Sequence, residues 1–146
     1  MTLTTKTIEL EFERVIAAAV DEVFDAWLDP AIPGKPWHGA AKLIFAPEVD
    51  GLFYFRTHRK EGGGGEISHY GRFTAIDRPG RIQHTFVSPF TWGLESLVTV
   101  TFKGKGGDTL MNLHHGGLPD DEKGRRHELG WNYLLDVLVK HYAGQR

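Results

Sequence analysis

The order of the patterned segments constrains this chain more than any single motif in it. In residues 7–15, Ile8, Leu10 and Phe12 alternate with Glu9, Glu11 and Glu13. A period of two with one charged face is the mark of a half-buried strand. Val15 and Ile16 continue it, and Ala17-Ala18-Ala19 lead out of it. Val20, Val23, Phe24, Trp27 and Leu28 then recur at i, i+3, i+4, i+7 and i+8, which is one face of a helix. Asp21 and Glu22 lie in its first turn, where carboxylates favour the helix dipole. Asp29-Pro30 ends it, because the residue before a proline avoids the helical region. Residues 31–37 hold Pro33, Gly34 and Pro36 and read as at most a broken second turn before Trp37.

From Lys42 the period returns to two. Six further strands are expected, at about residues 41–47, 51–60, 66–77, 81–88, 95–104 and 108–115. The connections carry Asp50-Gly51, Gly62-Gly63-Gly64-Gly65, Asp77-Arg78-Pro79-Gly80, Pro89 to Gly93, and Gly106-Gly107-Asp108. Proline fixes φ and glycine permits positive φ, so these are turns with a mechanism. The tetraglycine reads as a mobile hairpin tip. A phosphate cradle is the poorer reading, since no Lys-Ser/Thr pair or helix start follows it. Gly116-Gly117-Leu118-Pro119 is expected to end the last strand, and Pro119-Asp120-Asp121-Glu122 to open one long closing helix. On that helix Trp131, Leu134, Leu135, Leu138 and Tyr142 share a face, while Arg125, Arg126, Asn132, Asp136 and Lys140 point elsewhere.

The expected class is therefore α+β: a seven-stranded curved antiparallel sheet around a long C-terminal helix, with a short helix between strands one and two. Strand twist curls such a sheet, and one helix laid across its concave side cannot fill it. A hollow is expected there, narrowed by side chains drawn from nine phenylalanines and four tryptophans.

A family resemblance rests on Val23-Phe24-Asp25-Ala26-Trp27-Leu28-Asp29-Pro30, Gly51-Leu52-Phe53-Tyr54-Phe55 and Tyr70-Gly71-Arg72-Phe73-Thr74-Ala75-Ile76-Asp77-Arg78-Pro79. It continues through Val98-Thr99-Val100-Thr101-Phe102, His115-Gly116-Gly117-Leu118-Pro119 and Gly130-Trp131-Asn132-Tyr133-Leu134-Leu135-Asp136. In this order, over nearly the whole chain, the motifs resemble the START-like, helix-grip (SRPBCC) superfamily. Within it they resemble the homologues of the activator of heat-shock-protein-90 ATPase. The resemblance implies the helix-grip fold and a cavity, but no one function, because the fold hosts lipid carriers, hormone receptors, polyketide cyclases and co-chaperone modules. The co-chaperones that give the group its name carry another large domain for chaperone contact. A chain of 146 residues is expected to leave no room for one, so chaperone contact is a weakly supported expectation.

Composition narrows the classes further. At this length one domain spanning residues 1–146 is expected, large enough to bury a core without staples. No cysteine is present, which excludes disulfides, thiol catalysis and zinc–thiolate sites. No apolar run approaches the ~20 residues that span a bilayer, and residues 1–6 lack a basic start before an apolar stretch. The expectation is a cytoplasmic protein with no membrane span. Seventeen basic and nineteen acidic residues give a net charge of −2, and nothing marks a nucleic-acid partner.

Strand parity assigns the inward side chains once the apolar member of each alternation is placed inside. The expected cavity lining is Phe53, Phe55, Thr57, Phe73, His84, Phe86, Val98, Val100, Met111, Leu113 and His115, with Trp131 and Leu135 from the helix. Gly71, Ile82 and Phe102 share those faces, and a bare Gly71 is expected to leave room for the helix or a ligand. Should the parity be off by one, Arg56, Tyr70, Arg72 and Glu95 would line the cavity instead. His84 and His115 are the polar members of apolar faces. They either orient a ligand or are core histidines bonded to a backbone carbonyl or a water. Trp131 is either a wall that stacks on a flat ligand or core packing.

No metal site, cofactor or catalytic residue is expected. His114 and His115 are adjacent on a strand and face opposite sides, and a site drawn from His58, His69 and His84 has no supporting spacing. No Gly-x-Ser-x-Gly elbow occurs, and Ser68, Ser88 and Ser96 have no base implied by local sequence. Phe90 and Trp92 lie on a loop that reads as a lid or as a homodimer contact. Three functions follow as expectations. The first is a non-catalytic binder or carrier of a small apolar molecule. The second is a cyclase- or hydrolase-type enzyme using a pocket histidine. The third is an interaction module that meets a chaperone through the outer sheet face.

Overall fold

A computed structural model describes residues 6–29, 42–58 and 66–144, though not the side chains of Thr57, His58 and Glu66. The broken turn expected over residues 31–37 and the tetraglycine tip lie outside the described residues. The elements in chain order are β1 (Thr7–Ile16), α1 (Val20–Leu28), β2 (Lys42–Phe45), β3 (Leu52–His58), β4 (Glu66–Asp77) and β5 (Arg81–Phe86). After a 3-10 turn at Pro89–Thr91 come β6 (Ser96–Lys105), β7 (Asp108–Pro119), α2 (Glu122–Arg125) and α3 (His127–Ala143). The seven strands form one sheet in the order β1-β7-β6-β5-β4-β3-β2, antiparallel throughout. This is the α+β helix-grip architecture.

Alternation places one face of every strand inside. Phe53, Phe73, Ile82, Phe86, Val98, Val100, Met111 and Leu113 are all buried against α1 and α3. Tyr70 and Arg72 face solvent, so the parity is not off by one. α1 buries Val23, Phe24, Ala26 and Trp27. The Phe24 ring meets Phe102 of β6 edge-on at 5.4 Å, and Trp27 stacks over Trp131 of α3 at 6.3 Å. Each such large side chain contributes roughly 1.5–3 kcal/mol through the apolar area it removes from water.

Four local expectations need correction. β7 does not end at residue 115 but runs on to Pro119. Ile8 pairs with Leu118 and Leu10 with His115, so Glu9 faces both Gly116 and Gly117. One extra residue is thus absorbed as a bulge, and Gly117 supplies the positive φ of 76° that it needs.

Pro119 is consequently strand, not helix start. Asp121 is the cap, its carboxylate accepting from the Gly124 N–H at 2.9 Å. The closing helix is also two pieces that meet at Arg126.

Gly71, lastly, leaves no room for a ligand or a helix. A Cβ there would lie 1.9 Å from the backbone oxygen of Thr85. The residue is bare because the Thr85 backbone of the neighbouring strand β5 occupies the place of a Cβ.

Asn132 and Asp136 do point away from the core, but they reach back to β1. The Arg14 guanidinium donates to Asn132 Oδ1 at 2.7 Å and pairs with Asp136 at 3.6 Å. Arg78, in the turn after β4, holds Asp25 of α1 through two bonds of 2.9 and 2.8 Å. Those bonds pull the Asp25 carboxyl below its ordinary range.

Candidate functional site

Sheet register lines up the polar residues of the interior. Phe73 pairs with His84, His84 with Val98, and Val98 with His115. One row across β4, β5, β6 and β7 therefore carries two histidines among apolar neighbours. Phe55 pairs with His69, which sits at the same parity as Phe73 and turns inward. From α3, His127 and Trp131 lie four residues apart, so both project from the helix face that meets the sheet.

The result is an aromatic and imidazole cluster centred on Phe86. Around its ring stand His115 at 4.9 Å, His69 at 5.2 Å, His127 and Trp131 at 5.8 Å, and His84 at 6.4 Å. Phe53 stacks on His84 at 3.8 Å and Phe55 on His69 at 4.3 Å. Phe53, Phe55, Phe73, His84, Phe86, Val98, Val100, Met111, Leu113, His115, Trp131 and Leu135 are all buried. The Thr57 side chain is outside the described set.

Hydrogen bonds fix most of the proton positions. Trp131 Nε1–H donates to His115 Nδ1 at 2.9 Å, because an indole N–H can only donate. His115 must then carry its proton on Nε2, which donates to Ser96 Oγ at 2.8 Å. The Ser96 hydroxyl in turn donates to the Phe86 carbonyl at 2.6 Å. The chain Trp131 → His115 → Ser96 → Phe86 is closed, with each donor used once.

A serine beside a histidine invites a hydrolase reading, but the polarity here is reversed. The histidine N–H donates a hydrogen bond to the serine oxygen, and its one lone pair, at Nδ1, is engaged by Trp131 and cannot take the serine proton. His115 is therefore a core histidine whose two nitrogens are both engaged.

His84 and His127 differ. His84 Nδ1 lies 2.8 Å from the Thr85 carbonyl, so it is the protonated nitrogen. His127 Nδ1 lies 3.0 Å from the Gly124 carbonyl and 3.1 Å from that of Lys123, and is protonated for the same reason. Each ring keeps an acceptor at Nε2, and both of those atoms are buried without a partner, as is Nδ1 of His69. Buried polar atoms are usually satisfied, so three such nitrogens around one phenylalanine mark this cluster as the candidate site.

Burial holds all four rings neutral at physiological pH. It pushes His69 down to about 3 and His84 to about 4. It also carries His115 well below its ordinary value, and His127 below its own. Among the described residues no three of His, Cys, Asp and Glu are placed to hold one metal ion.

Outside this cluster, His114 faces solvent, 3.5 Å from Glu9. It helps line a groove of about 370 Å³ with Glu9, Glu95, Ser96, Leu97, Gly116 and Gly117, at the bulge between β1 and β7. Trp92 is 57% exposed, yet its indole donates to Asp121 at 2.6 Å and its ring carries the Lys123 ammonium at 4.1 Å. The loop before β6 is thus pinned to α2. Phe90 turns inward, 6.4 Å from the His127 ring.

Sequence reasoning named His69 only as an unsupported metal ligand and missed its inward placement, and it missed His127 and the Ser96–His115 pair. Two signals were present. Extending the Phe73–Gly71 alternation by two residues places His69 inside, and stepping four residues back from Trp131 places His127 on the inner helix face.

The family described as activator of Hsp90 ATPase homolog 1-like protein matches the chain over residues 17–143. Several solved structures are similar in fold. Protein CV1439 from Chromobacterium violaceum shares 21% identity at a TM-score of 0.76, over 92% of this chain and 97% of that one. CalU16 from Micromonospora echinospora shares 22% at a TM-score of 0.67, over 89% and 73%. SA2116 from Staphylococcus aureus, a protein of unknown function, shares 15% at 0.70, over 97% and 98%. At these identities the likeness concerns the fold alone. No curated protein matches the chain.

Proposed function

The chain belongs to the activator of Hsp90 ATPase homolog 1-like family, and on that footing we propose that it binds a small, largely apolar molecule between its sheet and α3 without transforming it. The observation that carries this reading is the cluster around Phe86. It is a buried apolar surface holding a few imidazole nitrogens with no partner among the described residues. Ligand sites have this composition, mostly apolar with a small number of polar groups that fix orientation.

The engaged nitrogens of His115 argue against its serving as a general base, since such a base needs a free lone pair aimed at the substrate. Native mass spectrometry of protein purified from its own source tests the reading. A stoichiometric small molecule that departs on denaturation is the expected result. Failure to take up any apolar probe after extraction with organic solvent and refolding overturns it.

A second reading has its own observation. The groove beside Glu9 and Glu95 opens to solvent, and none of the rings around Phe86 lines it. It suits an interaction module that docks a cationic side chain of a chaperone. The ATPase rate of purified Hsp90, measured with and without the chain, tests it. A Glu9→Lys substitution is expected to abolish any stimulation, and no stimulation by the unaltered chain sinks this second reading.

A further inference from the structure

Two of the cluster's three free nitrogens, Nε2 of His84 and Nε2 of His127, are of one kind, and this bears on what the interior accepts. His84 spends its N–H on the Thr85 carbonyl, and His127 spends its own on the carbonyls of Lys123 and Gly124. Neither ring has a second proton, so each presents only a lone pair at Nε2, and both of these atoms are buried and unpartnered. His84 is fully buried and His127 is 8% exposed.

Resting on the ligand-binding reading above, we propose that His84 and His127 make the interior a donor-selecting site, which takes a neutral hydroxyl- or amine-bearing apolar molecule and refuses an ionised carboxylate.

The chemistry is direct. An alcohol, phenol or amine hydrogen meets the imidazole lone pair and satisfies an acceptor that is otherwise stranded away from water. A carboxylate brings only lone pairs, so acceptor faces acceptor. Protonating the ring to meet an acid is opposed as well, because burial lowers both His84, to about 4, and His127. Among the described residues no Lys or Arg is buried in the interior to neutralise an acid.

The face of the His84 ring is covered by Phe53 at 3.8 Å, so a ligand reaches Nε2 in the ring plane, where the lone pair lies. A flat molecule with its donor at the rim fits that approach. The interior thereby discriminates between apolar ligands of equal size by the polar atom at their edge: fatty acids are excluded, and phenols or alcohols are admitted.

Three probes with one naphthalene body separate the possibilities: 2-naphthol, 2-methoxynaphthalene and 2-naphthoate. Each is titrated calorimetrically into the full chain near neutral pH. The naphthol is expected to bind about ten-fold tighter than its methyl ether, the worth of one hydrogen bond to a buried acceptor. The naphthoate is expected to bind more weakly than either.

Both His84→Phe and His127→Phe keep a flat apolar ring. At least one of them is expected to erase the naphthol preference while leaving the ether's affinity within about two-fold. Equal binding of naphthol and ether by the unaltered chain overturns the donor-selecting site and leaves the binding reading intact. So does a naphthol preference that survives in both variants. Failure of all three probes to bind overturns the binding reading and this inference with it.

Discussion

The indole N–H of Trp131 is bonded to Nδ1 of His115 across 2.9 Å in the buried interior, joining α3 to β7. That one contact sets the tautomer of the histidine, the direction of its bond to Ser96, and its unsuitability as a base.

Removing either partner strands the other. Trp131→Phe keeps a ring in place but leaves His115 Nδ1 without a donor, at a cost of roughly 1–3 kcal/mol for the unsatisfied atom. His115→Gln is expected to lower the melting temperature by a comparable free energy. Any loss of ligand affinity should track that fall and not exceed it. Chemical denaturation checks both variants, and an unchanged midpoint in both would contradict the closed chain of bonds.

Stability is expected to fall in mild acid. The unfolded histidines protonate near 6.5, whereas folded His84 resists until about 4 and His69 until about 3. Below 6.5 the unfolded chain therefore binds more protons, and the folded state loses ground as pH drops. The stability from His84 is fully present above 6.5 and is lost progressively down to about 4. His84→Phe should remove on the order of 3 kcal/mol of that loss. Melting curves from pH 7 to pH 4 read the difference, and parallel pH profiles for the variant and the parent would count against it.

Gly71→Ala tests the close approach of the Thr85 backbone to β4. Its Cβ would lie 1.9 Å from a backbone oxygen that no side-chain rotation can move. A loss of about 3 kcal/mol or more is expected. A near-neutral result in urea denaturation would mean that the strands can separate freely there.

The tie between β1 and α3 is a milder case. Arg14 is partly buried, bonds Asn132 at 2.7 Å and faces Asp136 at 3.6 Å. Because Asp136 is largely exposed, the ion pair is screened by water. Arg14→Ala is expected to cost about 1 kcal/mol, and a loss above about 3 kcal/mol would show that Arg14 organises more of the fold than these two contacts.

Most of the fold was legible along the chain, because period and parity are local properties. Ile8, Leu10 and Phe12 declare a strand by alternation alone, and Val23, Phe24 and Trp27 declare a helix by spacing. The same parity puts His84 and His115 inside, whatever the rest of the chain does. The length of β7 was not legible, since Gly116-Gly117 reads as a stop until Glu9 on another strand takes both as a bulge. Nor was the reason for Gly71, which lies in the path of the Thr85 backbone and not in its own neighbours.

The chemistry of the site was decided only by the tertiary structure. Sequence supplies imidazoles on an inward face, but whether one is a base, a ligand anchor or a core strut depends on where its proton sits. That position is fixed by groups far away in the chain: Trp131 and Ser96 for His115, and the Gly124 and Lys123 carbonyls for His127. Periodicity is written residue by residue, while the direction of a hydrogen bond belongs to the pair of atoms that folding brings together.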